Sequence, residues 1–221
     1  RETGSISYGV VSAALYAVCF ELSGGWFDLA RLDNLLVLLL LLGFYLLRFR
    51  AGAGGACLAG AVLALAALTK QSALVVTAAL LLCVFYLRGI RIGLCFAGTF
   101  ALLLGGATAA LHLLSQGWYT YYVFLLPSQH AFFAPMLLLY WTRDLFLPLP
   151  VAFLLVSYLV YSRLRNGKGR RFAEGNPLLL QLGFLGAMLL VSWLGRLHIG
   201  GGSNALLPAY AAISLFFALG I

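Results

Sequence analysis

Apolar stretches long enough to cross a membrane follow one another along this chain, separated by short polar or charged runs. The clearest is Trp26–Arg50, in which a charged amphipathic segment leads directly into an apolar run that ends at Arg48 and Arg50. As a helix rising about 1.5 Å per residue, this run crosses most of a hydrocarbon core of about 30 Å. The same pattern predicts eight spans in all, which are Ile6–Phe20, Asn34–Leu47, Ala51–Thr69, Ser72–Leu87, Ile92–Ser115, Leu147–Tyr161, Pro177–Leu194 and Leu206–Ile221.

This pattern predicts an all-α fold, a polytopic transmembrane helix bundle. Hydrophobic residues make up 63% of the 221 residues and charged residues only 9%, with a mean hydropathy of +1.03. Such a composition excludes a water-soluble globule. Because the chain starts without methionine and stops inside an apolar run, we expect residues 1–221 to form a single transmembrane domain that is part of a longer membrane protein.

The net charge of +8 comes from basic residues that fall in short clusters between spans. Cytoplasmic loops have this distribution, so the predicted partners are anionic membrane lipids rather than nucleic acid. With eight spans, one side holds ten of the 14 lysines and arginines, which are Arg1, Arg48, Arg50, Arg88, Arg91, Arg163, Arg165, Lys168, Arg170 and Arg171. The positive-inside rule predicts that this side is cytoplasmic.

The opposite side is predicted to be external, the periplasmic face of the inner cell membrane, and it carries more varied chemistry. Its polar residues include Glu21, Asp28, Asp33, Asp144, His130 and His198 together with Arg31, Lys70, Arg143 and Arg196. We therefore expect any active site on the external side.

Arg31 and Asp33 form the first candidate group, at the entrance to the second span. Two interpretations stay open: a helix start at the membrane surface with Arg31 paired to Asp28 three residues before it, or an external cleft lined by Arg31 or Asp33. Lys70 is the second candidate and lies in a minimal turn between two spans. It either extends its ammonium group to the interface or binds an anion such as a lipid phosphate.

The loop from Arg196 to Pro208 is the third candidate, because Gly200–Gly202 stand between His198 and Asn204. A glycine-rich loop exposes backbone N–H groups to a phosphate or a sugar, although a plain flexible turn has the same composition. His130 interrupts an aromatic-rich stretch typical of the headgroup layer, and it is either solvated or part of the same site. The four cysteines lack metal-ligand spacing, so we predict no metal and no cofactor.

Three of these segments resemble the GT-C glycosyltransferases of the protein O-mannosyltransferase and aminoarabinose transferase type. The similar segments are GGWFDLARLDNLL, ALTKQSALV and RLHIGGGSNALLPAYAA, in that order on the external side. The resemblance implies an enzyme that uses a polyprenyl-phosphate-linked sugar as donor, and it implies a donor-phosphate role for Lys70 in the Thr69-Lys70 pair. The family's catalytic Asp or Glu lies in a large external loop after its first span. No segment here matches that loop, so we expect the catalytic carboxylate upstream of Arg1.

The predicted function is therefore glycosyl transfer from a polyprenyl phosphate to an acceptor on the external face, with Arg31, Asp33, Lys70, His130, Arg196, His198 and Asn204 binding substrate or lipid phosphate. The alternatives are a transporter or flippase without glycosyl transfer, and a structural subunit without chemistry. Against transport, the sequence shows no membrane-buried acid and no clear broken-helix pair at mid-span, where coupling sites usually lie.

Overall fold

A computed structural model describes residues 3–26, 31–166 and 177–220. Arg1, Asp28, Lys168, Arg170 and Arg171, which enter the predicted charge distribution, lie outside the described residues. The described residues are 84% helical and contain no β-strand. The predicted all-α class is confirmed.

Most of the described chain is α-helix, with wider π-helical turns in two segments and one short 3₁₀-helix. The α-helices are α1 Ile6–Leu22, α2 Leu32–Phe49, α3 Gly52–Thr69, α4 Ala73–Leu114, α5 Trp118–Thr120, α6 Leu126–Ser128, α7 Met136–Leu139, α8 Pro150–Asn166, α9 Pro177–Arg196 and α10 Leu207–Gly220. The π-helical segments are Tyr121–Leu125 and Tyr140–Phe146, and the 3₁₀-helix is Ser203–Leu206.

Five described helices are long and apolar enough to cross a membrane, or up to six if the bent pair Met136–Phe146 and Pro150–Arg165 counts as one span. This number is lower than the eight predicted. One reason is that α1, with 17 residues, lies at the short end of the roughly 17–25 residues that a transmembrane helix needs. Another is that α4 runs for 42 residues and takes in two predicted spans. The chain is thus a multi-pass membrane protein by the length and composition of its helices.

Large apolar side chains point outward along several of these helices. Leu82 is 71% exposed, Leu102 75%, Val151 70% and Val18 68%. Leaving so much apolar surface in water would be unfavourable, whereas lipid tails solvate it well. The exposed surface therefore fits a hydrocarbon environment.

The described chain divides into two compact units. The first unit is Arg1–Asp33 with Phe132–Ile221, and the second is Asn34–Ala131. The first unit thus combines the start of the chain with about its last two fifths.

In the second unit, α3 packs against α4 through a glycine. A Cβ atom on Gly60 would lie 2.7 Å from the carbonyl oxygen of Phe96, so the two backbones meet at this point. Close approach through small residues is typical of helices in membranes, where no hydrophobic effect drives them together.

The long helix α4 is broken at Gly89, which has a φ of 77° and a ψ of 173° inside the helix. A glycine is needed there because other residues rarely adopt a positive φ. At the break, the Arg88 guanidinium donates hydrogen bonds to the carbonyl oxygens of Leu47 and Arg50. These bonds attach the break in α4 to the carboxyl end of α2.

In the first unit, α10 is the central helix and packs against α1, α8 and α9. Most of its side chains are buried, among them Tyr210 and Phe216. One end of this unit, the basic end, is marked by Thr3, Arg163, Pro177 and Leu219, which line one cavity. The other end, the polar end, holds Gly24, Trp26, Asp144, Arg196 and Asn204. Successive helices of the unit thus run in alternating directions between the two ends.

Candidate functional site

A side-chain pair at the polar end joins two distant parts of the sequence. Asp33 is the last residue of the amino-terminal part of the first unit, and Asn204 lies in the 3₁₀-helix that leads into α10. The Asn204 Nδ2 atom is 3.2 Å from each carboxylate oxygen of Asp33. Asp33 is only 6% exposed, and a carboxylate in the first turn of a helix also interacts favourably with the helix dipole. The pair therefore holds Asp33 against the start of α10.

Trp26 lies beside this pair. A Cβ atom on Gly202 would be 3.7 Å from the indole of Trp26, and one on Gly24 would be 3.5 Å from it. The guanidinium carbon of Arg31 lies 4.4 Å from the indole centroid, at cation–π distance. Arg31 and Asp33 therefore belong to one aromatic and polar surface, and that surface includes the glycine loop.

The backbone of the glycine loop, residues 200–202, adopts a conformation that needs glycine at two positions. Gly200 has a φ of 88°, which side chains disfavour. A Cβ atom on Gly201 would collide with the carbonyl oxygen of Gly195. The loop folds back on the carboxyl end of α9 and requires glycine at both positions.

Arg196, the last residue of α9, forms an ion pair with Asp144. Its Nε atom donates to Asp144 Oδ2 at 2.8 Å, and its Nη1 atom donates to the carbonyl oxygen of Gly201. The Tyr210 hydroxyl donates to the backbone oxygen of Asp144 at 3.0 Å. Asp144 is 8% exposed, so this pair is largely removed from solvent. Arg196 thereby connects the π-helical segment with the glycine loop.

This pairing changes the interpretation of both residues. The sequence predicts Arg196 as a loop cation that binds lipid phosphate, yet two of its five N–H donors are engaged by described residues. The other three donors can serve an anion. Asp144 is one of the predicted external acids but is not among the predicted site residues. The sequence feature that could have identified Asp144 is an acidic residue within a run of aromatic and apolar residues.

His198 contributes through its backbone and is exposed. It pairs with Phe132 in an isolated β-bridge, and the backbone N–H of Phe133 donates to the Leu197 oxygen at 2.7 Å. These bonds fix the start of the glycine loop. The structure therefore brings Arg31, Asp33, Arg196, His198 and Asn204 to one end of the first unit.

Lys70 and His130 lie in the second unit. Lys70 ends α3, and its backbone N–H donates to the Ala66 oxygen at 2.9 Å. His130 is exposed and follows α6, with its N–H donating to the Pro127 oxygen at 3.3 Å. Their predicted membership of the site stays a prediction.

Within the described residues, no group of three His, Cys, Asp or Glu side chains could hold a metal ion. The polar end instead offers a buried carboxylate with an amide, a tryptophan, and two guanidinium groups. Such groups bind hydroxyls and anions. Comparison of the chain with protein-family models, curated proteins and solved structures finds no match.

Proposed function

We propose that the protein is a membrane glycosyltransferase of the GT-C type, which transfers a sugar from a polyprenyl-phosphate donor to an acceptor on the periplasmic face of the inner membrane. The supporting observation is the hydrogen bond between Asp33 and Asn204, which are 171 residues apart. These residues belong to the first and third of the segments that resemble the family. Two segments that carry the resemblance thus contribute to one polar surface.

The proposed roles follow from the chemistry of the groups. Asp33 accepts hydrogen bonds from sugar hydroxyls, Asn204 donates to them, and Trp26 offers an aromatic surface beside both. Arg31 and Arg196 stabilise the negative charge that develops on the departing lipid phosphate. In this proposal His198 contacts the substrate, and the roles predicted for Lys70 and His130 of the second unit stay predictions.

The proposal includes the eight-span topology. Helix α4, at about 63 Å for 42 residues, is roughly twice as long as a hydrocarbon core is thick, so its two parts on either side of Gly89 count as two spans. Helix α1 and the bent pair add two more. Arg48, Arg50, Arg88, Arg91, Arg163 and Arg165 then face the cytoplasm.

Asn204→Ala is expected to lower turnover of a polyprenyl-phosphate sugar by about 10- to 100-fold, because a hydrogen bond to a charged group contributes about 1.5–3 kcal/mol. The measurement is release of labelled sugar by the complete protein in lipid vesicles. Gln129→Ala removes an exposed amide of the second unit and is expected to leave turnover unchanged. Equal turnover in wild type and Asn204→Ala would contradict the role of this surface.

A transporter or flippase is the second candidate function, and one observation favours it. The sequence predicts no buried acid or clear broken-helix pair at mid-span, yet a bent helix pair and a buried acid lie near the polar end of the first unit. Met136–Phe146 and Pro150–Arg165 meet at an angle of 105°, and the buried Asp144 lies just before the break. Broken helices with buried charges are typical of transport sites. The two functions differ in the fate of the donor, which is either cleaved or moved intact.

A further inference from the structure

We propose that the basic end of the first unit contains a binding site for an anionic phospholipid. A cavity of about 220 Å³ lies there between α8, α9 and α10. Leu159, Leu182, Phe216 and Leu219 form apolar walls, and Arg163 and Gln181 supply polar groups. No candidate residue of the glycosyl-transfer site contributes to it.

The lining matches the two parts of a phospholipid. The apolar walls suit a segment of an acyl chain, while the planar guanidinium of Arg163 can form two parallel hydrogen bonds to a phosphate. Arg163 is exposed, and no carboxylate in residues 3–26, 31–166 or 177–220 pairs with it. The cavity is smaller than a typical pocket for a whole small molecule, about 300–1,000 Å³. It therefore fits one part of a lipid whose remainder stays in the bilayer.

Among the described residues of the first unit, Arg163 and Arg165 are the charges near this cavity, and they favour an anionic lipid. Glu21, Asp33 and Asp144 are the acids of its described residues, and all three lie toward the polar end. Helix α9, which joins the two ends, has 20 residues and is therefore about 30 Å long. At that distance solvent and salt screen the three acids, so they barely reduce the positive electrostatic potential at Arg163 and Arg165. Basic pockets between transmembrane helices on the cytoplasmic side bind acidic lipid headgroups in this way.

The test uses the purified complete protein in detergent, with phosphatidylglycerol or phosphatidylcholine added at the same mole fraction. Thermal unfolding and native mass spectrometry report binding. Phosphatidylglycerol is expected to bind and to raise the unfolding temperature, and phosphatidylcholine is not. Arg163→Ala is expected to weaken phosphatidylglycerol binding about tenfold, the loss of one charge-assisted hydrogen-bonding group.

Two further variants distinguish lipid binding in this cavity from general electrostatic attraction of the lipid to the basic end. Arg165→Ala removes a charge from the same helix but outside the cavity lining, and it is expected to bind almost as wild type does. Leu219→Trp keeps every charge and fills the cavity, and it is expected to lose binding. Equal weakening by Arg163→Ala and Arg165→Ala would overturn the proposal, as would unchanged binding in Leu219→Trp. Equal stabilisation by phosphatidylcholine, or by soluble glycerol phosphate, would also overturn it. None of these binding and unfolding measurements depends on whether the protein transfers a sugar.

Discussion

Arg196→Ala is expected to destabilise the protein strongly and to reduce its folded yield. The substitution leaves the carboxylate of Asp144, which is 8% exposed, without the guanidinium that lies 2.8 Å away. Removing one partner of a buried pair costs about 3–5 kcal/mol, a large part of a typical stability of about 5–15 kcal/mol. It also removes the bond from Arg196 to Gly201 that holds the glycine loop. A cation in a solvated loop is ordinarily dispensable for folding, whereas Arg196 is paired with a buried carboxylate.

The measurement is thermal unfolding in detergent, followed by intrinsic fluorescence at one scan rate. Arg143→Ala, which removes the exposed neighbouring cation, is expected to have little effect. The double variant Asp144→Asn/Arg196→Gln replaces the charged pair by two amides and is expected to recover most of the loss. If Arg196→Ala unfolded at the wild-type temperature, the buried pair would not exist in the folded protein.

Gly60→Val is expected to destabilise the second unit by about 1–3 kcal/mol or more, because the contact is too close for a side chain. A Cβ atom at this position would lie 2.7 Å from the Phe96 oxygen and 3.3 Å from the Phe100 nitrogen. These are backbone atoms of α4, so relief requires moving a helix rather than rotating a side chain.

Gly54→Val is the matched control, since it places the same residue on the same helix with no atom within 4 Å. Both variants carry the same helix-propensity change, so the difference between their unfolding temperatures isolates the contact between α3 and α4. Equal unfolding temperatures would show that α3 and α4 do not touch at Gly60.

Helices were predictable where apolar runs are long and end at charges or helix breakers. The predicted span Ala51–Thr69 corresponds to α3, Gly52–Thr69, and the predicted span Pro177–Leu194 corresponds to α9, Pro177–Arg196. Lipid offers no hydrogen-bonding partners, so the backbone groups of an apolar run must bond to each other. A single segment achieves this as an α-helix. The sequence pattern therefore suffices for most of the fold.

The break between the π-helical segment and α8 was not predictable from the same pattern. Its segment is rich in aromatic residues, a composition shared by helices on the membrane surface and helices within the bundle. Asp144 was missed for a related reason, because its partner Arg196 is 52 residues away and only the folded chain pairs them. By contrast, Asp33 and Asn204 were selected from chemistry and from the family resemblance. Their hydrogen bond places them on one surface.

The fate of a doubly labelled donor tests the proposed glycosyl transfer most directly. The complete protein is placed in vesicles with a polyprenyl-phosphate sugar labelled separately in the sugar and in the lipid, together with a membrane extract as acceptor source. The proposal predicts that the sugar label leaves the lipid label on the membrane face at the polar end of the first unit, and that Asn204→Ala slows this separation. Movement of both labels together to the opposite leaflet, with the bond between sugar and phosphate intact, would contradict glycosyl transfer and identify a flippase.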